Sequence, residues 1–271
     1  MASKAEIRQI QYSSLELLKK FDGLCAANSI RYFLCGGALL GAARQKGFIP
    51  WDDDIDVVML RDDFRRLEEI ATKNPPSGTF WIGQGSKTHA QPNVFWGKLC
   101  ASDTNIVDAH NHGDMPHCFG LDVFPLDELP GSCLKRMKQR FGAYFLQHLS
   151  PLLFGGSSPN YALVKSILRL LLKPFFRDVK EIANRFLRVA ALGNGDNTGK
   201  LVSLCGRYGH RHEQFKRQWF EEVEIMEFEG MMVPVAKGWL QMLEMAYGKD
   251  WRIPKRDYGR DLHYKLVNPS T

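Results

Sequence analysis

Apolar residues recur at near-helical spacing through Ile7, Ile10, Leu15, Leu18, Phe21 and Leu24, which predicts an amphipathic helix at the start of the chain. The pattern then changes. "IRYFLCGG" is a short apolar and aromatic run closed by paired glycines, as expected of a strand and a tight turn, and "ALLGAARQ" suits a short helix. "DIDVVML" reads as a second strand, and "RDDFRRLEEIATKN" as a charged helix closed before "PPSG". Further strands are predicted in "TFWIGQG", "VFWGKLCA" and "CFGLDVFPL", with a long polar loop, "SDTNIVDAHNHGDMPH", between the last two. From Leu134 to Leu192 the pattern is helical, broken by "FGGSSPN" and by Pro174, and "LGNGDNTGK" follows as a linker. A short strand around "VEIMEFEGMMVPV", a helix in "AKGWLQMLEMAYG" and a basic tail complete the chain.

This order of elements predicts an α+β fold: a mixed sheet flanked by helices, with a helical insertion. We expect a core over residues 1–133, a helical segment over 134–200, and a C-terminal part, 201–271, that completes the core. The length of 271 residues and the 44% hydrophobic content suffice for a substantial interior. No repeat or low-complexity block interrupts it.

Charge narrows the partners. The balance of 36 Lys and Arg against 30 Asp and Glu gives +6, which favours an anionic partner such as a nucleotide, a phosphopolymer or an acidic membrane surface. The excess is too modest to argue for nucleic acid. Six scattered cysteines without a CxxC pair are expected to be reduced thiols of a cytosolic protein, and the charged N-terminus lacks the apolar core of a signal peptide. We therefore expect a cytoplasmic protein. The greasy stretch from Tyr161 to Val179 is interrupted by Lys165, Arg169, Lys173 and Pro174, too often for a spanning helix. It suits an amphipathic helix that covers the core or rests peripherally on the inner membrane surface.

The chemistry concentrates in "KGFIPWDDDIDVVML". Strand alternation puts Asp54 and Asp56 on one face and Ile55 and Val57 on the core face, leaving Asp52 and Asp53 at the preceding turn. Two neighbouring carboxylates raise each other's pKa unless a cation sits between them, and an oxygen-rich site suits Mg²⁺ or Mn²⁺. An EF-hand is excluded, because Val57 stands where that loop requires Gly and Asp63 where it requires Glu. Gly36 and Gly37 let the backbone approach a ligand closely, and the helix behind them can turn its first amides to a phosphate. Strand, paired glycines, short helix and Asp-apolar-Asp strand together resemble the nucleotidyltransferase fold. Such sites commonly add a later acid, and Asp122, between Leu121 and Val123, suits that place.

Four segments carry a closer resemblance: "FLCGGALLGAARQKGFIPWDDDIDVVMLRDDF", "WGKLCASDTNI", "GLDVFPLDELP" and "FEGMMVPVAKGWLQMLEMAYGKDW". They resemble the LicD (phosphorylcholine transferase) family, which includes the fukutin-related ribitol-phosphate transferases. The resemblance implies transfer of phosphocholine from CDP-choline, with CMP leaving, onto a hydroxyl of a cell-surface glycan such as lipopolysaccharide, teichoic acid or a lipid-linked precursor. It implies that Asp54, Asp56 and Asp122 form the metal and catalytic set and that Gly36 and Gly37 lie against the donor phosphates. Ala38 stands where the family usually has Thr, and Gln45 where it usually has His. The same fold moving a polyol phosphate or phosphoethanolamine is the nearest alternative, and a non-catalytic nucleotide-binding scaffold is a more distant one.

Arg44, ending the turn-helix segment, and Lys98, on a strand between apolar neighbours, are candidate diphosphate contacts. Trp51, Trp81, Phe95 and Trp96 flank the motifs and offer faces either to a quaternary ammonium or to the core. His110, His112, His117 and Cys118 offer zinc ligands at no standard spacing, a pattern that a polar loop also produces without metal. His263 receives no role from the sequence.

Overall fold

The first helix, α1 (Lys4–Ala27), starts at a capping box. The Ser3 hydroxyl accepts from the Glu6 amide while the Glu6 carboxylate accepts from the Ser3 amide at 2.6 Å. The computed structural model describes residues 3–83, 94–109, 118–154, 166, 170–206, 210, 213–254 and 262–267. The apolar stripe of α1, including Leu15, Leu18 and Phe21, is buried in the main core.

The central sheet has the order β1 (Phe33–Cys35), β2 (Asp56–Leu60), β6 (Gly120–Glu128), β4 (Gly97–Ala101), β3 (Thr79–Ile82). Only β2 and β6 run parallel; the other described pairings in the sheet are antiparallel. The nine-residue β6 outlasts β4, and β7 (Lys200–Ser203) takes over its vacated edge, with β8 (Gln214–Lys216) outside it. The mixed sheet and the flanking helices α2 (Gly36–Gln45) and α3 (Arg61–Lys73) bear out the expected fold class. Phe33, Val57, Leu99, Leu121 and Val123 form the fully buried centre.

A buried ion pair locks α3 to the sheet. Arg61, the first residue of α3, grips Asp127 of β6 with two bonds of 2.7 Å, both side chains being almost wholly enclosed. Two parallel N–H···O bonds give the pair the geometry that a buried charge requires.

The helical segment consists of α4 (Cys133–Phe154) and α5 (Val179–Ala190), which share a second core with Phe95, Leu129 and Val202. The "LGNGDNTGK" stretch is docked to this assembly: Asp196 accepts from the Gly131 amide and pairs with Lys135 at 2.8 Å. Of the Tyr161–Val179 stretch, most of the expected helix lies outside the described residues; Leu170–Leu172 are helical and a 3₁₀ turn covers Lys173–Phe175.

The sequence reading missed β7 and β8, and it differs from the structure in three further respects, two of them in short elements. The polar segment after β4 contains a strand, β5 (Ile106–Asp108), paired with β11 (Tyr264–Leu266) from the tail. "VEIMEFEGMMVPV" is a full hairpin of β9 (Val223–Phe228) and β10 (Met231–Ala236), not one short strand. Helix α6 (Trp239–Tyr247) follows as expected. The third is covalent: Cys100 and Cys118, with Cα atoms 5.7 Å apart, form a disulfide, which corrects the expectation that all thiols are reduced. Cys118 is thereby removed from any zinc set, and its proposed partners His110, His112 and His117 lie outside the described residues.

Candidate active site

Strand register assembles the site. In the parallel pair Asp56 lies opposite Asp122, and in the neighbouring antiparallel pair Asp122 lies opposite Lys98, so the three stand in a row across adjacent strands. Cys35 pairs with Asp56 on the other side, which delivers the glycine turn directly to the carboxylates. Asp54 falls just ahead of β2 rather than within it, a correction to the predicted strand, although the alternation of buried Ile55 and Val57 against partly open Asp54 and Asp56 persists.

Both glycines are required by close approach. Gly36 has φ +57, and a Cβ there would lie 3.1 Å from the Asp56 carboxylate. A Cβ on Gly37 would overlap the Asp52 carboxylate. Asp52 and Asp53 are both buried rather than exposed at a turn.

The tail closes the other side. The amides of His263 and Tyr264 donate to the two oxygens of Asp53, at 3.1 and 2.8 Å, and His263 Nδ1 lies 2.7 Å from Asp54 Oδ2. Asp122 accepts from Trp96 Nε1 at 2.8 Å and from Lys98 Nζ, which also bonds the Tyr264 hydroxyl at 3.0 Å. Tyr264 in turn donates to the Gly120 carbonyl at 2.9 Å.

Five carboxylates thus meet two cationic side chains. Burial, reinforced by Asp54, Asp122 and Asp52, pushes the Asp56 carboxyl well above the usual carboxylate range. Burial likewise raises Asp53. Hydrogen bonding to Asp54 lifts His263 to about 9 against the opposing effect of burial. For Lys98, burial alone would favour the neutral amine, but Asp122 and Tyr264 outweigh it and hold the ammonium charged. The surplus of negative charge and the oxygen-rich donors fit a hard divalent cation. Asp53, Asp54 and His263 each bring a ligand atom within 4.8 Å of the others. Asp53 already uses both oxygens on tail amides, whereas Asp54 and Asp56 are only partly buried.

From the glycines a cleft open to solvent runs between Phe124, Phe215, Met242 and Tyr247. Its polar lining includes Asp56, Glu213 and Ser203, and the Ser203 hydroxyl is buried without a partner among the described residues.

Residues 29–158, a span holding the glycine turn and all three predicted carboxylates, match the LicD/FKTN/FKRP nucleotidyltransferase domain. Over 269 residues the chain is 28% identical to the lipopolysaccharide cholinephosphotransferase LicD of Haemophilus influenzae, covering 96% of this chain and 97% of that protein. It is 30% identical over 147 residues to the human ribitol 5-phosphate transferase FKRP and 29% to the mouse protein, in each case over 51% of this chain and 27% of the relative.

Within the matched span, Gly36, Gly37, Asp54, Asp56, Asp122 and Lys98 are brought together, with Lys98 on Asp122. Arg44 lies in the last turn of α2, roughly 12 Å along the helix from Gly36 at 1.5 Å per residue. Gln45, beside it, donates to the Phe48 carbonyl at the helix end. Trp81 and Phe95 are core residues, packed on Phe64 and Phe186, whereas Trp96 reaches the site and stacks 5.7 Å from Phe124. Asp53, His263 and Tyr264 carried no sequence signal for their roles, because their partners lie more than two hundred positions away.

Proposed function

We propose that this chain is a phosphotransferase that moves phosphocholine from CDP-choline to a hydroxyl of a glycan acceptor, releasing CMP. The observation that carries this reading is the row of Asp56, Asp122 and Lys98 across adjacent strands, of which Asp56 lines a cleft that begins at the Gly36–Gly37 turn. Near end-to-end similarity to a cholinephosphotransferase supports the choice of donor.

In such a transfer the protein's task is positioning and neutralisation of charge. The first amides of α2, freed of side-chain bulk by the glycines, face the donor diphosphate. Asp54 and Asp56 would hold Mg²⁺ or Mn²⁺, which neutralises the diphosphate and the departing CMP. His263 fixes the rotamer of Asp54 through its 2.7 Å contact. Asp122, oriented by Trp96 and Lys98, is placed to receive the proton of the acceptor hydroxyl as the bond from phosphorus to the acceptor oxygen forms and the bond to CMP breaks. The face of Trp96 beside Phe124 supplies a cation–π wall for the trimethylammonium group.

The local similarity to ribitol 5-phosphate transferases favours a polyol phosphate as the second reading. Incubation with CDP-choline, CDP-ethanolamine and CDP-ribitol in the presence of Mg²⁺ and a glycan acceptor separates the readings. CMP release from CDP-choline is expected to be fastest. Faster release from CDP-ribitol would replace the first reading by the second, and release from none would refute both.

A further inference from the structure

Helix α4 presents an apolar face that nothing among the described residues covers. Leu134, Met137, Phe141, Tyr144 and Phe145 are each half exposed or more. At 100° per residue they fall within one arc of about 100°. The opposite face, with Ala143, Leu146, Leu149 and Leu153, is buried in the helical core.

The rotation of the helix is fixed. Gln139 is fully buried and donates to the carbonyls of Glu128 and Ala190 at 3.0 and 2.9 Å, while Gln147 donates to that of Leu204 at 2.9 Å. The outward apolar stripe is therefore built into the packing, and large exposed apolar patches of this kind mark interaction surfaces.

Its charge selects the partner. α4 contains four basic residues and no acidic one. Lys135 and Arg136 are engaged locally, with Asp196 and with the carbonyls of Pro130 and Gly131. Lys138 and Arg140 are exposed on either border of the apolar arc, and Arg140 lies 5.5 Å over the Phe141 ring. An aromatic and aliphatic stripe edged by cations is the pattern of a helix lying in the interface of an anionic bilayer. A second exposed apolar and basic segment, Leu170, Leu171, Lys173 and Phe175, belongs to the same subdomain, anchored by Phe176 in the α4–α5 core.

We propose that the outer face of α4 docks the protein on an anionic lipid surface, with Phe141, Tyr144 and Phe145 at the acyl boundary and Lys138 and Arg140 on lipid headgroups. The inference is independent of the donor assigned above. Sedimentation with vesicles of phosphatidylcholine alone, and of an equimolar mixture with phosphatidylglycerol, tests it. The chain is expected to bind the mixed vesicles in a salt-sensitive manner and the neutral ones much more weakly. The double variant Phe141→Ser/Phe145→Ser should lose most of the binding. Lys138→Gln/Arg140→Gln should weaken it by roughly fivefold for each charge removed. Circular dichroism should confirm that both variants fold. Failure to bind the mixed vesicles, or equal binding by both folded variants, would overturn the proposal. So would gel filtration showing a dimer that Phe141→Ser/Phe145→Ser dissociates, since the face would then belong to a second copy.

Discussion

Asp56 sits where its charge is most unfavourable, deep among protein atoms with Asp52, Asp54 and Asp122 as neighbours. A carboxyl held above its ordinary pKa destabilises the folded state at neutral pH, because the fold must carry a charge that the unfolded chain carries freely. Asp56→Asn removes that charge and nearly preserves the shape. Its melting temperature in EDTA should equal or exceed that of the unaltered chain, while CMP release in Mg²⁺ falls by at least about a hundredfold. A folded variant with retained turnover would remove Asp56 from the metal set. Glu213 carries a different expectation within the proposed donor cleft. The exocyclic amine of cytosine donates to a carboxylate, whereas uracil offers a carbonyl that the carboxylate repels. Glu213→Gln is expected to narrow the preference for CMP over UMP by roughly tenfold, measured by calorimetric titration on protein shown to be folded by circular dichroism. The sequence made the Asp54–Asp56–Asp122 set legible because an acid inside an apolar run is conspicuous. It could not reveal that Asp52 fills the space beside Gly37, since that contact depends on a loop without periodicity.

At the scale of elements, long periodic segments were readable, and of the three-residue strands only β1, marked by the glycine pair after it, was. α1 announces itself by its apolar stripe and α3 by its charged run closed before a turn, but β5, β8 and β11 are shorter than one full cycle of alternation plus its borders. The β9–β10 hairpin was hidden by its turn, Glu229–Gly230, whose residues have φ +51 and +78 where Asn-Gly is the usual signal. Glu229 accepts the strained position because it is anchored: Arg8 of α1 donates to it at 2.6 and 3.1 Å, and the Phe48 amide at 3.1 Å. These bonds, chiefly with Arg8, hold its carboxyl below the ordinary range despite some burial. A depressed carboxylate stabilises the fold above its unfolded pKa and loses that contribution as pH falls through the folded value. Glu229→Gln should therefore cost about 1 kcal/mol at pH 7, since Arg8 is partly exposed, and the difference should shrink toward zero as the medium is acidified below the carboxylate range. Urea melts at several pH values check both the sign and the window.

Across the whole molecule the site depends on a closure between distant parts of the chain. The Cys100–Cys118 disulfide brackets the segment that contains β5; β5 pairs with β11; and β11, with the residue before it, brings Tyr264 and His263 to Asp53, Asp54 and Lys98. None of this was visible in the spacing of the cysteines, which are 18 positions apart and far from the tail that they help to hold. Closing a loop of that length restricts the unfolded chain by about 3 kcal/mol. Alkylation of denatured, unreduced protein should label the four free cysteines, Cys25, Cys35, Cys133 and Cys205, and all six only after reduction. In the native state Cys133, which is exposed, should react before the buried Cys25 and Cys35. The variant Cys100→Ser/Cys118→Ser should melt ~5–10 °C lower. If the disulfide supports the site through β5, hydrogen exchange at residues 262–267 should quicken in this variant and CMP release should fall, although neither cysteine touches a site carboxylate. Six reactive thiols without reductant would dismiss the cross-link, and unchanged exchange in the tail would confine its effect to β4 and β6.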